Sequence, residues 1–132
     1  MIRILHSVSN MDRAGIETML MNYYRYMDKS KVQFDFLCNK KKPGAYDDEI
    51  KSMGGRIYHT PGLNPAKYPE YLKFMRKLFH EHPEYKIVEA HNGGAWRVCT
   101  SCCQSEQNSC AHFSCTWSKH NERLEASNQA CL

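Results

Sequence analysis

The chain has 132 residues, with 18 Lys and Arg against 14 Asp and Glu and a formal net charge of +4. This length suits one domain with a modest core, and so mild and dispersed a charge does not indicate nucleic-acid binding. The basic run at residues 40–42 is more typical of a solvated loop than of a phosphate or membrane patch.

Residues 1–93 alternate β-branched apolar runs with amphipathic stretches. The runs predict strands at 2–8, 32–38, 56–59 and 85–90, and the stretches with helical spacing predict helices at 15–27, 46–53 and 65–82. This order is typical of an α/β fold, a Rossmann-like parallel sheet with crossover helices. Because ligands gather at the carboxyl ends of such strands, we look for function in the loops that follow them.

Seven short segments follow one another in a characteristic order along residues 1–93. They are Ile4-Leu5-His6, Ala14-Gly15-Ile16-Glu17-Thr18, Met21-Asn22-Tyr23-Tyr24-Arg25, Val32-Gln33-Phe34-Asp35-Phe36, Asp48-Glu49-Ile50, Gly54-Gly55-Arg56-Ile57 and Val88-Glu89-Ala90-His91-Asn92-Gly93. Their order and spacing resemble the N-terminal domain of retaining glycosyltransferases of the GT-B fold, group 4, which build capsular polysaccharide and exopolysaccharide.

The resemblance implies two facing Rossmann-like domains, of which the first holds the acceptor and the second binds the nucleotide-sugar donor. Residues 1–93 would be part of the acceptor-side domain, and the family's pair of donor-site glutamates is absent. We therefore expect a fragment of a retaining glycosyltransferase, inactive as this chain, with no cofactor because the nucleotide sugar is a substrate. Its partners would be the nucleotide sugar and a glycan or lipid-linked acceptor. A small Rossmann-like module that binds a nucleotide or a protein is the alternative.

The chain shows no secretory signal, since its first apolar run is too short for a signal peptide or a membrane span. We expect a cytoplasmic protein whose cysteines stay reduced. Peripheral association with the inner face of the membrane is left open.

Four residues are candidate substrate contacts. Gly15 opens the first predicted helix, where backbone N–H groups could approach the donor's diphosphate; tight strand-to-helix packing is the other explanation for a glycine there. The family usually has a second glycine, and this chain has Ala14 instead. Arg13 could add positive charge at the same place, with a solvated role as the alternative. His91 and Asn92 follow the fourth strand, where polar groups would face the cleft between domains.

The other aromatic and histidine signals favour structural roles. His6 lies within the first strand and is predicted to be a packed histidine. Tyr23 and Tyr24 are predicted to belong to the core face of the first helix rather than to a sugar-stacking surface. His80 and His82 suit a helix end, where a cation stabilises the helix dipole, and no metal site is predicted.

Residues 94–132, called the tail below, lose the α/β pattern and contain six of the seven cysteines: Cys99, Cys102, Cys103, Cys110, Cys115 and Cys131. Three interpretations compete. Cys99, Cys102, Cys110, His112 and Cys115 loosely imitate zinc-ligand spacing. The tail could be a disordered extension. It could also be translated out of frame.

The genetic code favours the third interpretation. Shifting each codon by one nucleotide turns Trp117 with any following serine codon into glycine, and Cys102-Cys103 into alanine or valine only. Permitted codons then restore an alanine-rich helix, a proline break and an apolar strand ending in His-Ala-His-Gly. One extra G at Gly93-Gly94 would suffice. We therefore expect an irregular, poorly ordered, non-native tail that cannot cover the sheet edge beyond the fourth strand.

Overall fold

The computed structural model describes residues 1–62 and 64–91, together with the backbone of residues 111–114. The elements in chain order are β1 (Ile2–Val8), α1 (Gly15–Tyr26), β2 (Val32–Cys38), α2 (Asp47–Ser52), β3 (Ile57–His59), a 3₁₀ turn (Pro65–Lys67), α3 (Tyr68–Glu81), β4 (Tyr85–Ala90) and β5 (Ala111–Ser114). The four predicted strands and three predicted helices are confirmed, with boundaries within three residues.

The third helix differs most from its predicted start. Its first three residues form the 3₁₀ turn, and Asn64 caps that turn by accepting a hydrogen bond from the Ala66 N–H at 3.1 Å. Pro69 then falls in the first turn of α3, where the missing N–H of proline costs nothing because that group has no helical partner.

The strands form one parallel sheet in the order β3-β2-β1-β4-β5. The chain runs outward from β1 through β2 to β3 and then returns to place β4 on the other side of β1. This arrangement confirms the Rossmann-like prediction. It also puts the topological switch point, where such sheets bind ligands, between the carboxyl ends of β1 and β4.

Helices cover both faces of the sheet. One core cluster contains residues of α1 and α2 with the side chains of one sheet face: Val8, Met11, Leu20, Met21, Tyr24, Phe34, Phe36, Cys38, Tyr46 and Ile50. The other contains residues of α3 with the opposite face: Leu5, Leu37, Tyr71, Met75, Leu78, Phe79, Tyr85 and Val88. The two layers explain why β1 and β2 are apolar on both sides.

A buried ion pair connects the strands near their amino ends. The guanidinium of Arg3 donates two hydrogen bonds of 2.6 Å to the carboxylate of Asp35, which is fully buried. The same carboxylate accepts from the Tyr85 hydroxyl at 2.6 Å and from the Arg56 backbone N–H at 2.7 Å. The Asp35 hydrogen bonds raise the pKa of Arg3. This one carboxylate therefore joins β1, β2 and β4 to the residue that precedes β3.

Part of the tail corrects an expectation drawn from the sequence. Ala111–Ser114 forms β5, which pairs in parallel with β4 from Ile87 to Ala90. The expectation that the tail leaves this edge uncovered is therefore wrong for these four residues. The physical reason is that the unpaired N–H and C=O groups of a strand edge accept another strand whatever its side-chain pattern. The rest of the predicted irregular tail lies outside the described residues.

Candidate functional site

Buried polar atoms without hydrogen-bond partners concentrate where the strands end, at the carboxyl edge of the sheet. Five buried side-chain atoms of the described residues have no hydrogen-bond partner, and all belong to the ends of strands or to the segments that follow them: His6 Nε2, Ser7 Oγ, Asn10 Oδ1, Asp47 Oδ1 and His91 Nδ1. Buried polar groups are normally hydrogen-bonded. Their shared location makes this edge the candidate functional site.

The loops after β1 and β2 are held together at this edge. A Cβ on Gly44 would lie 2.4 Å from the backbone oxygen of Met11, so only glycine allows the two loops to approach this closely. The Asp12 carboxylate accepts hydrogen bonds from the Asn10 side chain at 2.8 Å and the Ala45 N–H at 3.1 Å. These bonds lower the pKa of Asp12. The start of α1 is therefore positioned by its neighbouring loop.

Gly15 and Arg13 are both exposed beside this pair of loops. A Cβ on Gly15 would meet no atom within 4 Å, so close packing does not explain this glycine. Ala14 provides no side-chain cap, and the first N–H groups of a helix have no intrahelical partner. The start of α1 is thus open to an anion, while the anion itself stays a prediction.

His91 lies at the predicted edge, with its side chain packed against the sheet. Its backbone N–H donates to Ser7 O at 2.9 Å, and its side chain is only 3 % exposed. The ring stacks on that of His6 at a centroid distance of 5.4 Å. The ring therefore lies against the sheet, and a contact of His91 with substrate stays a prediction. Asn92 lies outside the described residues.

His6 is packed, as predicted, and it has polar neighbours that were not predicted from the sequence. It is 1 % exposed and lies in the ring contacts of Phe34 and Phe36. Its Nδ1 atom lies 3.2 Å from Glu89 Oε2 and 3.2 Å from His91 Nε2, and the latter two atoms are 3.9 Å apart. We call these three residues the His–Glu–His cluster.

The contacts within the cluster lower the pKa values of two of its members, Glu89 and His91. The hydrogen bond with His6 lowers the pKa of Glu89, and burial together with the neighbouring His6 ring lowers the pKa of His91. Glu89 and His91 are two residues apart at a strand end, a spacing that places side chains on one face, and His6 pairs with Glu89 in the register of β1 and β4. The spacing was a usable signal, whereas the register was not visible in the sequence.

Of the remaining predictions for aromatic and basic residues, some are confirmed and one is wrong. Tyr24 is fully buried, as predicted, but Tyr23 is 64 % exposed, so its assignment to the core is wrong. The reason is rotation: residues adjacent on a helix point about 100° apart. His82 ends α3 and contacts Glu84 at 3.0 Å, at the opposite edge of the sheet. Residues 40–42 are exposed, in agreement with a solvated loop.

Two curated proteins are similar to this chain. The protein named "Putative glycosyltransferase EpsF" from Bacillus subtilis (strain 168) is 46 % identical over 89 residues, which are 67 % of this chain and 23 % of that protein. The protein named "Capsular polysaccharide biosynthesis glycosyltransferase CapH" from Staphylococcus aureus is 29 % identical over 91 residues, 69 % of this chain and 24 % of that protein. The chain thus spans about a quarter of the length of the relatives it matches. No family model and no solved structure matches it.

The described helices were compared with the length and hydropathy that a membrane span requires. Within residues 1–62 and 64–91, none is both long enough and apolar enough to span the bilayer.

Proposed function

We propose that residues 1–93 are the acceptor-side part of a retaining, GT-B-type glycosyltransferase that acts in exopolysaccharide or capsule assembly. The observation that carries this proposal is the 46 % identity over 89 residues to EpsF. The tail, by this proposal, is the out-of-frame product of the same gene. In this proposal, glycosyl transfer requires a donor-binding domain in addition to residues 1–93.

The geometry of the carboxyl edge supports the proposal. A sugar acceptor presents hydroxyl groups, and this edge offers buried polar atoms that have no partner among the described residues, including Ser7 Oγ, Asn10 Oδ1 and Asp47 Oδ1. The exposed start of α1, with Gly15 and Arg13, adds partial and full positive charge where a diphosphate could approach from a second domain. His91 and Asn92 complete the set of proposed substrate contacts.

The proposed partners are a sugar donor and a sugar acceptor. The donor is a nucleotide sugar, which is a substrate, so glycosyl transfer requires no cofactor. The acceptor is a glycan or a lipid-linked sugar. We propose that the enzyme is cytoplasmic and works at the inner face of the membrane, where such an acceptor is presented.

A chimaeric enzyme tests the proposal directly. Residues 1–91 replace the matching segment of EpsF, and release of nucleoside diphosphate from a panel of nucleotide sugars is measured with and without a lipid-linked acceptor. Unaltered EpsF is the positive control. We expect acceptor-dependent turnover by the chimaera and none by the 132-residue chain.

Variants within the chimaera locate the substrate contacts. Gly15→Val places a branched side chain at the exposed start of α1, and we expect the KM for the donor to rise. Arg76→Ala is the control, because Arg76 is an exposed residue of α3 on the other face of the sheet. It should leave the KM for the donor unchanged. A folded chimaera with no turnover, beside active EpsF, would refute the assignment of residues 1–93.

A further inference from the structure

We propose that the His–Glu–His cluster is a binding site for one divalent transition-metal ion, with Zn²⁺ as the preferred ion. His6 Nδ1, His91 Nε2 and one Glu89 carboxylate oxygen are the three ligands. This inference goes beyond glycosyl transfer, which needs no metal by the proposal above, and it replaces the expectation from the sequence that no residue here binds one.

The spacing of the three atoms fits such an ion. All three lie within 4.8 Å of one another, with separations of 3.2, 3.2 and 3.9 Å. Tetrahedral Zn²⁺ with bonds of about 2.0–2.2 Å to nitrogen and oxygen requires ligand separations of about 3.3–3.6 Å. The three atoms therefore already surround a space of the right size, with a modest closure needed between His91 and Glu89.

Hydrogen bonding alone leaves the cluster poorly satisfied. His6 Nδ1 faces both the Glu89 carboxylate and His91 Nε2, yet it can carry only one proton. The other nitrogen of each ring, His6 Nε2 and His91 Nδ1, has no partner among the described residues. A cation bound between the three inward-facing atoms would use every lone pair they direct at one another.

The ligand set and its position also point to a metal with an open coordination site. Two histidines and one carboxylate form a ligand set that in proteins holds Zn²⁺ with a fourth position for water or substrate. The cluster lies between β1 and β4, at the topological switch point of the sheet. Glu89 is 27 % exposed, so the site is reachable from solvent. The fourth ligand is an oxygen of water or of a bound hydroxyl compound.

Zinc titration of the whole chain tests this site. The tail cysteines are potential zinc ligands, so the 132-residue chain is prepared with Cys99, Cys102, Cys103, Cys110, Cys115 and Cys131 replaced by serine. After chelation and dialysis, we expect it to bind one Zn²⁺ per chain in a calorimetric titration. Co²⁺ should give the visible absorption of a tetrahedral site without thiolate charge-transfer bands. Absence of stoichiometric binding would overturn the proposal.

Matched variants assign the ligands. Glu89→Gln keeps the shape of a partly exposed side chain, and His91→Asn removes the second imidazole; each should weaken Zn²⁺ binding by about 100-fold or more, since even outer-shell partners are worth about 10–100-fold. Glu84→Gln and His82→Gln alter a histidine–carboxylate pair at the other edge of the sheet and should leave the affinity unchanged. Equal affinity in all four variants, each folded by circular dichroism, would refute the site. Because no sugar is present, failure here leaves the transferase proposal standing.

Discussion

Replacement of Asp35 by asparagine should be among the most damaging shape-conserving changes in the fold. The substitution keeps the volume and removes the charge that faces Arg3, whose side chain is 9 % exposed. Removing one partner of a buried ion pair costs about 3–5 kcal/mol because the remaining charge is left uncompensated in a poorly solvated place. Domains are stabilised by only about 5–15 kcal/mol in total. We expect a loss of at least about a fifth of the stability of a typical domain.

Thermal unfolding followed by circular dichroism measures this effect. At about 4–8 °C per kcal/mol for a domain of this size, Asp35→Asn should lower Tm by about 12 °C or more. Glu49→Gln is the matched control: Arg25 binds Glu49 with two hydrogen bonds of 2.6 and 2.9 Å, but both residues are solvent-accessible. Exposed ion pairs contribute little, so its Tm should hardly move.

A second substitution separates the buried charge from the lost hydrogen bonds. In Arg3→Met/Asp35→Asn, the uncompensated guanidinium is gone. The asparagine oxygen can still accept from the Arg56 N–H, and its NH₂ group can donate to the Tyr85 hydroxyl oxygen. The double variant should therefore be more stable than Asp35→Asn alone. A Tm of Asp35→Asn within a few degrees of the unaltered chain, or a double variant less stable than the single one, would refute the reasoning.

Four further predictions follow from other parts of the molecule. Gly44→Ala should destabilise the chain by about 1–3 kcal/mol through overpacking against Met11, whereas Gly15→Ala should change stability by less than about 1 kcal/mol; urea unfolding compares the two. Burial raises the pKa of Cys38 to about 12, so in the chain without tail cysteines iodoacetamide should label Cys38 only after unfolding, and rapid native labelling would contradict the burial. Burial raises the pKa of Glu84, but hydrogen bonds, including those from Arg56 and His82, outweigh it and lower that pKa to about 2. The stabilisation by Glu84 is therefore present above about pH 4.5 and lost as the pH falls toward 2, and Glu84→Gln should flatten this acid limb of the stability profile. DNA sequencing across Gly93-Gly94 should show one nucleotide more than the frame of a continuous glycosyltransferase sequence requires. A downstream sequence that encodes no glycosyltransferase continuation in any frame would refute the frameshift.

The fold was largely predictable because its signals are local. Apolar runs such as Val32–Cys38 and helical stripes such as those of α3 depend on residues close in sequence, and these runs fixed the strands and helices. The parallel pairing follows from the alternation of strands with crossover helices. The 3₁₀ turn before α3 was not predicted, because it depends on the Asn64 side chain accepting from Ala66 rather than on periodicity.

The site was less predictable because it depends on register. His91 was placed at the correct edge, but its contact with His6 requires knowing how β1 aligns with β4, whose residues are separated by more than 80 positions. Nothing local in either strand specifies that alignment. Tyr23 shows the same limit on a smaller scale, since the sequence assigned both tyrosines to one face and only Tyr24 reaches the core.

The position of β5 coincides with a strand that the shifted codons would encode. About a third of the chain lies outside the alignment with each relative. The strand restored by the shifted codons, Val-Arg-Ile-Phe, begins at the junction of residues 110 and 111. This is where β5 begins in the folded chain. Twenty residues separate Ala90 from Ala111, which is sufficient for a parallel crossover. If the tail is out of frame, as we propose, the chain meets the sheet edge at the codons that would encode a strand in the other frame. Its backbone can pair there, whereas the helix and the His-Ala-His-Gly segment of that frame are missing from its sequence.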